Sequence, residues 1–186
     1  ASWRDVLARQ PLAVAPSAPD IVYALVEALG EETGFYRSRD AGGSWEKMNS
    51  YVSTSPQYYQ ELVVDPRNPD RVYSMDTFMM VTEDGGKTWR RAGEKHKHVD
   101  NHALWIDPAD SDHLLAGCDG GLYESWDRAE NWKFVPNLPV TQFYRVSVDN
   151  AEPFYHVYGG TQDNFSLGVP SRTISASGII NTDWYV

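Results

Sequence analysis

Trp3, Trp45, Trp89 and Trp132 stand 42, 44 and 43 residues apart. A near-constant step of this size in a strand-rich chain marks small sheets repeated side by side, the arrangement of propeller blades. No stretch keeps an apolar stripe at helical spacing. The expected fold is therefore all-β, with one sheet per repeat.

Each of the later three tryptophans closes a short signature. Ser38-Arg39-Asp40-Ala41-Gly42-Gly43-Ser44 precedes Trp45, Thr82-Glu83-Asp84-Gly85-Gly86-Lys87-Thr88 precedes Trp89, and Ser125-Trp126-Asp127-Arg128-Ala129-Glu130-Asn131 precedes Trp132. The shared form is Ser/Thr-x-Asp-x-Gly-x-(Ser/Thr)-Trp, with Ala129 in place of glycine in the third copy. A turn aspartate accepts hydrogen bonds from the N–H groups of its own turn. Glycine allows the positive φ of a tight hairpin, and the tryptophan is expected to fold back over the hairpin as an apolar plug. These residues read as a folding device, not as catalytic or metal-binding groups. The signature resembles the Asp-box, or BNR repeat, of sialidase-like and sortilin-like β-propellers.

A second pattern lies between the boxes. Leu62-Val63-Val64-Asp65-Pro66 leads to Arg71-Val72-Tyr73, and Leu104-Trp105-Ile106-Asp107-Pro108 leads to His113-Leu114-Leu115. Weaker copies begin at Leu12 and Arg145. Each is an apolar strand, an Asp/Pro turn and a second strand. A third strand enters each box (Gly34–Ser38, Met79–Thr82, Gly121–Ser125), and a fourth follows its tryptophan (Glu46–Met48, Arg90–Ala92, Lys133–Val135). With strands lettered A to D, the box is the C–D hairpin. The division predicts a D strand of a truncated blade over 1–10, blades over 11–50, 60–95 and 102–137, and an incomplete blade over 143–186. Residues 168–186 look out of register, because no box falls near 168. That gives about three full blades with partial ones at both ends. Either the first D strand closes a small ring, which removes sheet edges, or the chain is a segment of a larger propeller.

The chain's 186 residues suffice for one substantial core. A formal charge of −10 disfavours nucleic acid, whose phosphates want a basic surface. No apolar run is long enough to cross a membrane, so no membrane insertion is expected. The lone Cys118 excludes an internal disulfide. The start shows no signal-peptide pattern, which suggests a mature or excised segment.

His98-Val99-Asp100-Asn101-His102-Ala103-Leu104-Trp105-Ile106-Asp107-Pro108, Gly120-Gly121-Leu122-Tyr123 and Gly159-Gly160-Thr161-Gln162-Asp163-Asn164 resemble large bacterial exported BNR-repeat proteins, often labelled glycosyl hydrolases. The resemblance implies further blades, export of the parent protein and a glycan-related role. An isolated segment is expected to self-associate to cover its open sheet faces.

Strand alternation puts the boxes on one face with the A–B turns. The D–A links and B–C turns share the other face, where ligands bind in a concave mouth. Candidates there are His98, Asp100, Asn101 and His102 in a D–A link, Asp119 in a B–C turn, and Gln162, Asp163 and Asn164 in the next B–C turn. Tyr58, Tyr59, Asp76, Gln142 and Tyr144 are expected nearby. Asp100, Asp119 and Asp163 are the candidate acid and base for glycoside hydrolysis, which needs two carboxylates roughly 5–9 Å apart. Sialidase chemistry is not expected, because the chain has no matching arginine cluster. His96, His98 and His102 alternate with Asp100, so an extended strand would point them to one side, where imidazoles suit a transition metal. Asp119-Gly120-Gly121 and Asp163-Asn164 are also ordinary turn sequences. No cofactor is expected. The open readings are a glycan- or peptide-binding module, a glycoside hydrolase with paired carboxylates, and a structural scaffold.

Overall fold

The computed structural model describes residues 11–28, 30–55, 59, 61–136, 141–162 and 165–186. The 1–10 strand, Tyr58, Asp163 and Asn164 lie outside the described residues. The chain divides into two compact units, Ala1–Val135 and Pro136–Val186.

The first unit holds three antiparallel four-stranded meanders in simple up-and-down order. The first comprises β1 (Leu12–Val14), β2 (Val22–Val26), β3 (Gly34–Ser38) and β4 (Glu46–Asn49). The second comprises β5 (Leu62–Val64), β6 (Val72–Ser74), β7 (Met80–Thr82) and β8 (Arg90–Arg91). The third comprises β9 (Asn101–Ile106), β10 (Leu114–Cys118), β11 (Gly121–Ser125) and β12 (Lys133–Phe134). In the middle strands nearly every side chain has a covered face, as in Tyr23-Ala24-Leu25 and Val72-Tyr73-Ser74. That accounts for near-continuous apolar runs there in place of strict alternation.

Two cores separate the three sheets. Tyr23, Leu25, Phe35, Leu62, Val64 and Val72 fill the space between the first and second sheets. Tyr73, Met79, Val81, Leu104, Ile106, Leu114 and Ala116 fill that between the second and third. The tryptophans of the second and third boxes reach the preceding sheet, and do not simply fold over their own hairpins as the sequence suggests. Trp89 meets Phe35 edge-on, with ring centres 4.9 Å apart, and stacks on Tyr51 at 4.3 Å. The Trp132 indole N–H donates to the Gly93 carbonyl at 2.8 Å. Each such indole closes an inter-sheet joint with a large apolar area.

The boxes repeat atom for atom. In the first, the Ser38 hydroxyl donates to Asp40 Oδ1 at 2.7 Å and accepts from the Gly42 N–H. The Ser44 N–H donates to the same Oδ1, and its hydroxyl to Oδ2. Thr82, Asp84, Gly86 and Thr88 make the same set. In the third copy Ser125, Asp127 and Ala129 do so too, and the Asn131 amide stands in for the missing hydroxyl at 2.8 Å from Asp127 Oδ2. Two consecutive residues in every box have positive φ: Ala41 and Gly42, Gly85 and Gly86, Arg128 and Ala129. Each hairpin is tied to the A–B turn of its own sheet by Ala41 N–H to Asp20, Gly85 N–H to Asp70 and Arg128 N–H to Asp112. Boxes and A–B turns thus share a face.

The second unit holds one three-stranded antiparallel meander, β13 (Phe143–Val148), β14 (His156–Thr161) and β15 (Ser166–Pro170). Gly168 and Tyr185 exchange both N–H···O bonds, at 2.9 and 3.0 Å, in an antiparallel bridge. Tyr185 thus holds the place of a D strand beside β15, and Trp184 precedes it as Trp132 precedes Lys133. The repeat therefore resumes 52 residues after Trp132, and residues 168–186 are not simply out of register. A longer C–D connection replaces the box.

Candidate functional site

The D–A link that follows β8 is built around Asn101 and Lys97. Lys97 is buried, its ammonium bonded to the His98 carbonyl at 2.7 Å, to Glu94 Oε1 at 3.3 Å and to Asn101 Oδ1, and set over the Trp132 ring. A buried ammonium is tolerated only with such partners. The Asn101 amide donates to the Asp76 carbonyl, the Thr77 carbonyl and Glu94 at 3.0–3.2 Å. Backbone N–H groups of Asp100 and Asn101 also reach Thr77 and Asp76. The link is thereby fastened to the B–C turn of the second sheet. Asn101, a ligand-contact candidate on sequence grounds, is fully enclosed and holds the link in place.

That fastening presents Asp100 at φ +62, a conformation that non-glycine residues adopt rarely. The Tyr59 hydroxyl donates to Asp100 Oδ1 at 2.8 Å. One residue beyond Asn101, His102 Nε2 lies 2.7 Å from Asp119 Oδ1 in the B–C turn of the third sheet. Because a carboxylate only accepts, Nε2 carries the hydrogen. The Tyr59 and His102 rings are 5.3 Å apart, and the Asp119 N–H reaches the Asp100 carbonyl. Tyr59, Asp100, His102 and Asp119, from two D–A links and a B–C turn, thus converge. His102 is exposed and Asp119 mostly covered. Burial, the hydrogen bond to Asp100 and the nearby charges of Asp100 and Asp119 push the Tyr59 hydroxyl up to about 12, so it stays a proton donor. The cluster offers a phenol, an imidazole and two carboxylates, suited to hydroxyl-rich ligands.

Among the described residues no group of three or more His, Cys, Asp or Glu side chains is placed to hold a metal ion. The expected convergence of His96, His98 and His102 fails because His96 and Asp100 both have positive φ, which breaks the extended alternation. His96 is exposed, His98 turns Nδ1 to the Val99 carbonyl and packs against Gly120, and His102 pairs with Asp119. Asp76 is buried, holding the Thr54 N–H and hydroxyl. Gln162 lies in the second unit, its N–H on the Gln142 carbonyl, and Tyr144 is exposed on β13. Sequence reasoning missed Lys97 and Glu94. A lysine flanked by two histidines in an acidic chain was their only signal.

The chain is 27% identical over 151 residues to an oligoxyloglucan-reducing end-specific xyloglucanase of Emericella nidulans, an alignment covering 73% of this chain and 19% of that protein. The fold matches the GH74 enzyme of Niastella koreensis with a TM-score of 0.57 at 16% identity, over 98% of this chain and 30% of that one. It also matches the GH74 xyloglucanase of Xanthomonas campestris, with a TM-score of 0.52 at 17% identity, over 86% and 29%. The chain spans less than a third of each. With its repeated antiparallel sheets, the fold is a β-propeller segment. No helix among the described residues is long and apolar enough to cross a membrane. The Sortilin-Vps10 family model, described as "Sortilin, neurotensin receptor 3", matches residues 33–177, so three Asp-boxes and a model match over most of its length place this chain in that family.

Proposed function

We propose that this chain is a ligand-binding module of a larger exported propeller, with a glycan seated at Tyr59, Asp100, His102 and Asp119. The observation that carries the reading is the direction of the two carboxylates. Asp100 turns an oxygen to Tyr59 and Asp119 one to His102, side chains brought from separate links to one mouth. A tight turn needs neither pairing. Sugar hydroxyls both donate and accept, so carboxylates, a phenol and an imidazole suit them. The similarity to a xyloglucanase supports a glycan over a peptide. Blades over 11–50, 60–95 and 102–137 would present this mouth beside their links, and the incomplete blade over 143–186 is proposed as a further repeat, taken by itself. Tyr58 is a further proposed contact there, and Gln162, Asp163 and Asn164 are proposed ligand contacts of the second unit by itself.

Glycoside hydrolysis is the second reading, favoured by the same two carboxylates, with Asp163 as the remaining candidate. A glycan-array and affinity-electrophoresis screen on the whole parent protein tests both. Binding that weakens at least tenfold in Asp119→Asn and Tyr59→Phe, with no sugar released, supports the module. Release of reducing sugar that Asp100→Asn abolishes supports the hydrolase. Glycan binding unchanged in all three variants sinks both.

A further inference from the structure

The A–B turns share a clasp that none of the foregoing roles uses. Asp65, Asp107 and Asp149 each accept, on Oδ1, the N–H of the residue two positions on. Each then turns Oδ2 to a side chain at or just before the start of the next strand: Arg71 at 2.8 Å, His113 at 3.4 Å and His156 at 3.0 Å. In the second sheet the cation is permanent, and Arg71 also reaches Glu83 Oε2 through Nε at 3.0 Å. In the third sheet the cation is an imidazole.

His113 is partly buried, with a carboxylate at each ring nitrogen. Nδ1 faces Asp107 from the turn, and Nε2 faces Glu124 Oε1 on β11 at 3.0 Å. Trp126 of the box hairpin stacks flat on the ring, with centres 3.6 Å apart and planes 4° apart. Trp105 on β9 meets it edge-on at 5.6 Å. The adjacent Asp112 is paired with Arg128. A neutral imidazole has one N–H and one lone pair, so it can satisfy only one of two carboxylates and sets its lone pair against the other. An imidazolium satisfies both.

We infer that His113 is a proton-gated form of the Arg71 clasp, tying the A–B turn to β11 when charged and releasing one of the two carboxylates when neutral. Burial opposes the charge on His113, but hydrogen bonds and negative charge from Glu124 and Asp107 outweigh it and raise its pKa above the ordinary imidazole value. A raised folded-state pKa means the stabilisation is complete below about 6.5, the unfolded value, and is lost as pH rises through the folded one. The third sheet is therefore tightened under mildly acidic conditions.

Trp126 reports on the clasp, because an imidazolium stacked on indole quenches its emission. On raising the pH from mildly acidic to mildly alkaline, wild-type emission should rise with a midpoint above the ordinary imidazole value. Trp126→Phe and His113→Gln should lose that step. The thermal midpoint should fall over the same range in wild type and fall less in His113→Arg, which installs the second sheet's permanent cation. Imidazole nitrogen shifts of wild-type protein read the same titration without any variant. A His113 ring that titrates at or below the ordinary value, or a His113→Arg melting profile that superposes on wild type, would overturn the inference.

Discussion

The Tyr59 hydroxyl donates to an Asp100 oxygen at 2.8 Å across 41 residues of sequence, so the proposed mouth draws on two separate D–A links. This bond, burial and the neighbouring negative charge keep Tyr59 protonated to about pH 12. Asp100→Asn removes the charge and the acceptor's full strength. Tyrosinate absorbance, read as wild type minus Tyr59→Phe, should titrate near 12, and in the Asp100→Asn background the same difference should move toward the ordinary value. No movement would mean that burial alone sets it.

Acid should loosen the boxes. Hydrogen bonds from Ser44 and Ser38 hold the Asp40 carboxyl at about 2. Those from Thr88 and Thr82 do the same for Asp84, against a burial penalty. A depressed folded-state pKa gives stability that is full above about 3.9, the unfolded value, and is lost as pH falls toward 2. Thermal midpoints measured down to that range should drop in wild type and drop less in Asp84→Asn. At neutral pH Asp84→Ala should cost about 2 kcal/mol by chemical denaturation, the scale of hydrogen bonds to a charged group.

The paired positive-φ residues of the boxes allow opposite substitutions. A Cβ at Gly86 would sit 2.3 Å from the Phe35 ring at φ +98. Gly86→Ala should therefore destabilise by about 3 kcal/mol through overpacking and backbone strain. Ala41 adopts φ +55 while exposed. Ala41→Gly should stabilise by about 1 kcal/mol, because a left-handed residue with a Cβ carries that strain. Urea titrations of the two variants would show the opposite signs.

Asn101→Ala should destabilise by about 3 kcal/mol, since it leaves the buried Lys97 and Glu94 without a shared partner. It should also disorder Asp100 and His102. Amide exchange over 98–102 should quicken well beyond that of β10, and equal protection in both segments would count against Asn101 as the fastening of the link.

The period, the box and the strand order were legible because each is written in neighbouring residues: turn chemistry, apolar alternation and a fixed step. Asp100, His102, Asp119 and Tyr59 were legible as a face but not as a cluster, since their meeting depends on where successive links cross. The metal reading failed at two backbone angles, at His96 and Asp100, which no pattern of residue types announces. Asn101 looked like an exposed polar residue, because its partners at Asp76 and Thr77 lie 24–25 residues back. Trp184 escaped because its repeat is longer, so a search at the usual step from Trp132 lands near residue 175, short of it. The His113 clasp had a readable sign: Asp107 and His113 keep the spacing of Asp65 and Arg71.

The tie between each box and its own A–B turn has a consequence for how the chain reaches this structure. It joins residues 15 to 21 positions apart, as in Gly85 to Asp70 and Ala41 to Asp20. Contacts between sheets, such as Trp132 to Gly93, span 39. Loop closure is thus least costly within a repeat, and a chain with such local contacts condenses one meander at a time. The slower event is the docking of finished sheets, when the indoles of Trp89 and Trp132 leave water, and substitutions at those two positions will act on that step more than on the forming of any single meander.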